Sequence, residues 1–144
     1  MYMINYEKVD LSEQNILSLE KLRFEVYDYK NLNPDKTYFF FFLINGNILP
    51  FAAYENGLLI GGCYVSKTFE TLFIDQLFIA KDYQDTPEHI GTNLLKYVLA
   101  NKKLCEDFFN TKFNFSYLDN SCSKSFYENL GYKENNNEMM SKRI

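Results

Sequence analysis

Apolar residues recur at three- to four-residue intervals in two stretches of the chain, a spacing typical of helices that bury one face. The first stretch begins near Ile16 and predicts a helix over 12–30, with Asp10 or Ser12 as its N-cap. The second stretch predicts a helix over 89–103. Its apolar positions are Ile90, Leu94, Leu95, Val98 and Leu99.

Other apolar runs are typical of strands. Residues 2–9 alternate loosely and predict an edge strand. Residues 51–54 and 58–66 flank an Asn-Gly pair, which indicates a β-hairpin. Residues 69–80 are almost continuously apolar, which predicts a third strand at the centre of the sheet.

The segment 34–45 is compatible with two structures. Pro34 suits the first turn of a short helix that ends at Gly46. The run 39–44 also fits a buried strand, because a short apolar run does not separate the two by its period. We favour the helix.

The C-terminal part of the chain adds four predicted elements, and the complete order is β-α-α-β-β-β-α-β-α-β-β. Hairpins beside a strand–helix–strand crossover predict an α/β fold, in which a mixed sheet carries helices on its faces. The four elements are a strand at 113–117, a helix at 121–130 that ends at Gly131, and strands at 132–134 and 138–142.

Length and composition indicate the number of domains and the make-up of the core. The 144 residues predict a single domain over 1–144. Phe and Tyr together supply 26 residues and Trp none, so we expect rings in the core and in a pocket wall. The helices at 12–45 carry many of these rings, and we expect an aromatic wall there from Tyr27, Tyr29, Tyr38 and the run 39–42.

Several classes of function are disfavoured by what the sequence lacks. A net charge of −4 and only two arginines disfavour nucleic acid as a partner. One histidine and three scattered cysteines give no zinc spacing, and the cysteines are typical of a reduced, cytoplasmic protein. The longest apolar run has six residues, far fewer than the ~20 that span a membrane.

Two segments carry the resemblance to a known family. The run Leu77-Phe78-Ile79 is followed by Gln84 and then by Ile90-Gly91-Thr92-Asn93-Leu94-Leu95. Asn120 is followed by Phe126-Tyr127-Glu128-Asn129-Leu130-Gly131-Tyr132. The first segment resembles the acetyl-CoA motif, and the second resembles the Asn and Phe-Tyr-Glu-x-Leu-Gly-Phe motif, of the GNAT N-acetyltransferases. The resemblance extends to the element order and implies a GNAT-like acyl-CoA N-acyltransferase fold.

The resemblance implies acetyl-CoA as co-substrate and an amine of a small molecule or peptide as acceptor. A helix N-terminus suits a diphosphate, because its backbone amides and dipole favour anions. If the central strand diverges from its neighbour, its main chain suits the amide-bearing arm of coenzyme A. The expected binding residues are Leu77, Phe78, Ile79, Gln84, His89, Ile90, Gly91, Thr92 and Asn120.

Acetyl transfer to an amine calls for a proton donor to the leaving thiolate and for a neutral amine. The resemblance implies Tyr127 as the acid, although a plain core role also fits one of twelve tyrosines. Asp75, two residues before Leu77 on the central strand, is our candidate base; an exposed or paired strand-end carboxylate is the alternative. The family uses no metal, and homodimers are common in it. Asn-rich and Lys-rich composition suggests a bacterial source.

The loop between Gln84 and Gly91 departs from the family pattern. It is two residues longer, and His89 stands where the family has its first glycine. Without the resemblance, Thr86-Pro87-Glu88 would be an N-cap and first turn, so that the helix begins earlier. Asp82, Asp85 and Glu88 would repel an anion if they pointed inward. This loop motivates the alternative of a catalytically weak, GNAT-like acyl-CoA-binding or protein-interaction module.

Overall fold

A computed structural model describes residues 3–119, 127–134 and 139–144. The strands are β1 (Ile4–Lys8), β2 (Ile48–Glu55), β3 (Leu58–Thr68), β4 (Thr71–Ile79), β5 (Phe115–Asp119), β6 (Lys133–Glu134) and β7 (Met139–Arg143). The helices are α1 (Glu13–Tyr27), α2 (Tyr38–Ile44), α3 (Ile90–Ala100) and α4 (Lys102–Phe109), with short 3₁₀ turns at Pro34–Lys36 and Lys81–Tyr83.

The seven strands form one mixed sheet in the order β1-β2-β3-β4-β5-β7-β6. Neighbours are antiparallel except β4 and β5, which are parallel and are joined through α3 and α4. Residues of α3 and α4 bury one face of the sheet, and α1 with α2 buries the other. The predicted α/β class, the edge position of β1, the β2–β3 hairpin and the central position of β4 are confirmed.

The N-terminal helices follow from local capping. The Ser12 hydroxyl accepts a hydrogen bond from the Asn15 amide at 3.1 Å, so Ser12 rather than Asp10 caps α1. The Thr37 hydroxyl caps α2 by accepting from the Phe40 amide at 2.9 Å. The helix prediction for 34–45 is therefore confirmed, as a 3₁₀ turn followed by α2.

The strands predicted at 51–54 and 113–117 are shifted or longer, as β2 and β5 show. Two predictions around α3 were also wrong. The helix predicted over 89–103 is two helices, because Asn101 ends α3 and its side chain bonds back to the Tyr97 carbonyl oxygen at 2.8 Å. The second of them, α4, is missing from the predicted order. Thr86 does not cap α3 either: His89 donates to the Thr86 carbonyl oxygen at 3.2 Å in a separate turn, and the helix begins at Ile90.

The helix predicted over 121–130 lies mostly outside the described residues. Tyr127 and Glu128 are helical, and Gly131 follows with φ +92, a left-handed conformation that favours glycine. Asn120 and Cys122 lie outside the described residues. Within the described part, no helix is long and apolar enough to cross a membrane.

Candidate active site

The central strand β4 has an edge that is only half paired. Its register with β5 runs from Thr71 opposite Phe115 to Ile74 opposite Leu118 and goes no further. From Gln76 to Ile79, the ladder partner of β4 within the described residues is β3 alone. The central strand β4 therefore diverges from its neighbour β5. This is the condition that we set for binding the amide-bearing arm.

The exposed edge presents particular backbone groups. Ala80 donates to the Ile60 carbonyl oxygen at 2.8 Å, so Ala80 and Phe78 form the hydrogen-bonded pairs with β3. Leu77 and Ile79 alternate with them and direct their backbone groups to the other edge. Two side chains meet the carbonyl oxygens there: Gln84 Nε2 bonds the Ile79 oxygen at 2.8 Å, and the Tyr27 hydroxyl lies 3.4 Å from the Leu77 oxygen.

A β-bulge sets which side chains of β4 face each helical layer. Tyr64 of β3 is opposite Gln76, whereas the next residue, Val65, is opposite Ile74, so Asp75 is the extra residue. The bulge reverses the alternation along the strand. As a result, Ile74 and Leu77 both pack in the core beneath α3, and Phe78 packs beneath α1 and α2.

A cavity of about 400 Å³ lies between the half-paired edge, the end of α1 and the start of α3. Nine of the eleven predicted site residues line it: Leu77, Phe78, Ile79, Gln84, His89, Ile90, Gly91, Thr92 and Tyr127. Asp75 does not line it, and Asn120 lies outside the described residues. The strand edge, the α3 terminus and Tyr127 therefore meet in one place.

The start of α3 presents backbone amides that have no intrahelical partner. The first amide with an intrahelical partner is that of Asn93, which donates to the His89 carbonyl oxygen at 2.9 Å. The amides of Ile90, Gly91 and Thr92 precede it, and no side chain caps the helix. His89 has φ 48, a left-handed conformation that turns the chain sharply into the helix. Amides in this arrangement, at the positive end of a helix dipole, bind phosphate groups.

The acidic residues of the loop are less of an obstacle than the sequence suggests. Of the three carboxylates, Asp85 alone lines the cavity, and it is exposed to solvent. Asp82 and Glu88 border neighbouring hollows instead. Solvent screens the repulsion between an exposed carboxylate and a bound anion.

Tyr127 lines the cavity from a packed position. The residue is only 5% exposed. Its ring lies edge-to-face with that of Tyr132, with centroids 6.1 Å apart. The carbonyl oxygen of Tyr127 accepts hydrogen bonds from the amides of Leu130 and Tyr132, which fix the short helical turn.

Asp75 lies at the bulge, and its surroundings shift the pKa of its carboxyl group. Burial raises its pKa to about 6, and a hydrogen bond with Ser66 offsets part of that rise. Its Oδ2 atom is buried and has no hydrogen-bond partner within the described residues. The carboxyl group therefore changes its charge close to neutral pH.

Sequence reasoning missed four residues that line the cavity: Val26, Tyr83, Asp85 and Thr86. Tyr83, Asp85 and Thr86 lie inside the acetyl-CoA motif, where their position was the available signal. Val26 belongs to the apolar stripe of α1, which gave no indication that the helix ends at a cavity. The described residues contain no group of three or more His, Cys, Asp or Glu that could hold a metal ion.

Residues 46–134 match the family described as Acetyltransferase (GNAT) domain. The chain belongs to this family. It is thus an acyltransferase that depends on acetyl-CoA. No curated protein sequence matches the chain.

Solved structures give the same fold. The PaiA N-acetyltransferase of Thermoplasma acidophilum, in complex with coenzyme A, is 19% identical with a TM-score of 0.73, over 99% of both chains. Aminoglycoside 6'-acetyltransferase type Ii is 18% identical with a TM-score of 0.72, over 96% of both chains. A GNAT acetyltransferase of Brucella melitensis, in complex with acetyl-CoA, is 14% identical with a TM-score of 0.73, over 100% of this chain and 90% of that one.

The cavity fits the acyl donor of a GNAT enzyme. The arm of coenzyme A carries amides, and the half-paired edge of β4 offers backbone groups at Leu77 and Ile79. Its diphosphate is an anion, and the start of α3 offers uncapped amides. Both halves of the donor therefore have a counterpart in this chain.

Proposed function

We propose that the protein transfers an acetyl group from acetyl-CoA to a primary amine of a small molecule or peptide, by direct attack of the amine. The observation that carries this proposal is the convergence of the strand edge, the α3 amides and Tyr127 on one cavity. When bound, acetyl-CoA supplies the activated acyl thioester. We infer that no side chain of the protein takes up the acyl group, and that residues 1–144 act as one domain.

The α3 terminus and the β4 edge are the binding elements of this proposal. The amides of Ile90, Gly91 and Thr92 would hold the diphosphate. The backbone of Leu77 and Ile79 would extend the sheet by pairing with the amide-bearing arm. A backbone amide near Leu77 and Phe78 would polarise the thioester carbonyl by donating a hydrogen bond. Gln84 supports this edge through its bond to the Ile79 oxygen.

Tyr127 is the proposed acid. A hydroxyl on a buried, fixed ring can donate a proton to the departing thiolate without first losing many conformations. Asp75 is the proposed base. Since it does not line the cavity, it would take the proton of the amine through a water molecule. Asn120 remains a proposed contact of the coenzyme A arm.

The experiment that tests the function offers the protein acetyl-CoA and a broad panel of amines. Acetyl transfer is monitored by detecting the free thiol of the coenzyme A that is released. We expect turnover with at least one class of primary amine. Tight acetyl-CoA binding without turnover on any amine would instead favour an acyl-CoA-binding module.

We place the enzyme in the cytoplasm of a bacterium, without nucleic acid or membrane as a partner; its assembly stays open between a monomer and the homodimer that is common in the family. The support for a reducing compartment comes from the thiols. Cys63 and Cys105 are buried and form no disulfide with each other, and burial raises the pKa of both thiols. They therefore behave as small apolar side chains in the core beneath α3 and α4.

A further inference from the structure

A second cavity, of about 520 Å³, lies between the end of α1 and the start of α2. It shares no lining residue with the cavity at the β4 edge. Tyr29 borders the second cavity and Tyr27 the first, and their rings are in contact with centroids 5.8 Å apart. The two rings lie between the cavities, and the Tyr27 hydroxyl reaches the Leu77 carbonyl oxygen of the half-paired edge at 3.4 Å.

Arg23 lies in the wall of this cavity in a fixed orientation. Its Nε and Nη2 atoms donate to the Glu20 carboxylate at 2.7 and 3.0 Å. Glu20 is fully buried and also accepts from the hydroxyl groups of Thr37 and Tyr64. One edge of the guanidinium is therefore occupied, and the network ties α1 to α2 and β3.

The other edge of the guanidinium has donors to spare. Within the described residues, nothing accepts a hydrogen bond from Nη1, although Arg23 is only 5% exposed. Nη1 keeps some exposure to solvent, and Arg23 is one of the residues that line the cavity. Burial lowers the pKa of Arg23, but the hydrogen bond and charge of Glu20 outweigh burial and raise it, so the group stays cationic.

The surroundings of Arg23 are apolar on the sides and cationic at the rim. Its guanidinium carbon lies 4.7 Å from the ring centroid of Phe39 and 5.5 Å from those of Phe24 and Tyr29, and all three rings line the cavity. Lys36 also lines it, and no carboxylate does. A hydrogen bond to a charged oxygen gains strength in such a weakly polar setting.

We propose that this cavity binds the amine acceptor and selects one that carries a carboxylate on an apolar or aromatic body. The outer edge of Arg23 and the ammonium group of Lys36 hold the carboxylate, and the three rings hold the body. The amine end then points past Tyr29 and Tyr27 to the β4 edge. This inference rests on the proposed function, because it names the acceptor of that reaction.

The first test measures binding without turnover. The probes are 4-phenylbutyrate and its neutral counterpart, 4-phenylbutanamide, titrated by calorimetry. We expect the acid to bind about tenfold more tightly than the amide. Equal affinity, or no binding of either probe at millimolar concentration, would overturn the proposal.

Two variants locate the preference. Arg23→Lys keeps a cation beside Glu20 but removes the second row of guanidinium donors that faces away from Glu20. We expect this variant to lose the preference for the acid. Because Arg23 is buried in an ion pair, Lys36→Gln provides a variant that leaves the pair intact; we expect it to weaken the acid several-fold and to leave the amide unchanged. Lys30→Gln, an exposed lysine that does not line the cavity, is the control. A preference for the acid that survives in both folded variants would contradict the assignment.

The second test separates the acceptor from the function. The amines are 4-(aminomethyl)benzoate and 4-methylbenzylamine, with acetyl-CoA saturating. We expect a higher kcat/KM for the carboxylate, reduced by Lys36→Gln. Equal acetylation of both would sustain the proposed function and overturn this inference. If neither amine is acetylated although 4-phenylbutyrate binds, the cavity is a carboxylate site but does not bind the acceptor, and this inference is overturned.

Discussion

At the residue scale, the proposed chemistry rests on two side chains, Tyr127 and Asp75, whose surroundings differ sharply. Tyr127 is enclosed and packed against Tyr132 at the cavity. Asp75 lies in a bulge outside the cavity wall, and one of its oxygen atoms has no partner in the described residues. The Tyr127 phenol is therefore suited to direct proton donation. The Asp75 carboxylate is suited to accepting a proton through a water molecule.

Replacing Tyr127 with Phe tests the proposed acid. We expect kcat to fall by about 10²-fold or more, because a general acid contributes on that scale, with the dissociation constant of acetyl-CoA little changed. Steady-state kinetics and calorimetry measure the two quantities. Tyr132→Phe is the matched control, since its hydroxyl bonds Ser116 rather than lining the cavity. An unchanged kcat would remove Tyr127 from the mechanism.

The pKa of Asp75 makes the pH profile informative. A base whose pKa is raised to about 6 loses activity as the pH falls through about 6, because protonation removes its free electron pair. We expect Asp75→Asn to lower kcat/KM and to abolish this acidic limb. Asp107→Asn, an exposed carboxylate on α4, serves as the control. An acidic limb that persists in Asp75→Asn would assign it to another group.

The same carboxyl group also affects folding. Its pKa in the folded protein is raised above that of the unfolded chain, so its contribution favours folding below about pH 4 and is lost as the pH rises through about 6. We expect Asp75→Asn to gain stability relative to the parent protein between pH 4 and pH 7. Urea unfolding at both values measures the difference; a constant difference would show that Asp75 is not buried as an acid.

At the element scale, the divergence of β4 from β5 and the bulge at Asp75 create the half-paired edge. The sequence predicted that β4 is a central strand, but it did not predict that β4 diverges from β5. A hydrophobic pattern shows which residues are buried, but not which neighbouring strand a backbone group bonds. The bulge gives no signal in the pattern of 71–79 that separates it from an ordinary apolar strand. The split at Asn101 was missed for a similar reason, since the apolar spacing continues into α4.

The close approach of β3 and β4 offers a test at this scale. A Cβ atom at Gly62 would collide with the ring of Phe78, whereas one at Gly61 would meet the flexible end of Ile79 at 2.8 Å. We expect Gly62→Ala to destabilise the protein by about 1–3 kcal/mol and to weaken acetyl-CoA binding, because Phe78 must shift on the binding strand. Gly61→Ala should do less. Urea unfolding and calorimetry measure both, and equal effects would contradict the packing argument.

At the scale of the whole molecule, the family motifs gave more of the site than composition or periodicity did. They brought together the β4 edge, the α3 start and Tyr127, which are far apart in sequence, and the cavity joins them. The buried pairing of Glu20 with Arg23 carried no motif and was not foreseen. Side-chain partners across elements depend on the tertiary packing of α1, α2 and β3, so a single sequence does not reveal them.

The central claim is that acetyl-CoA binds between the half-paired edge of β4 and the start of α3, and calorimetric titration of acetyl-CoA tests it most directly. We expect binding to the parent protein and to Ala100→Leu, which enlarges an exposed residue at the far end of α3. Gly91→Leu, which places a side chain at the uncapped amides, should abolish it. A thermal-shift check should agree, since ligand at 100 times its dissociation constant stabilises by about 2.7 kcal/mol. No binding to the parent protein at millimolar acetyl-CoA, or undiminished binding to Gly91→Leu, would contradict the claim.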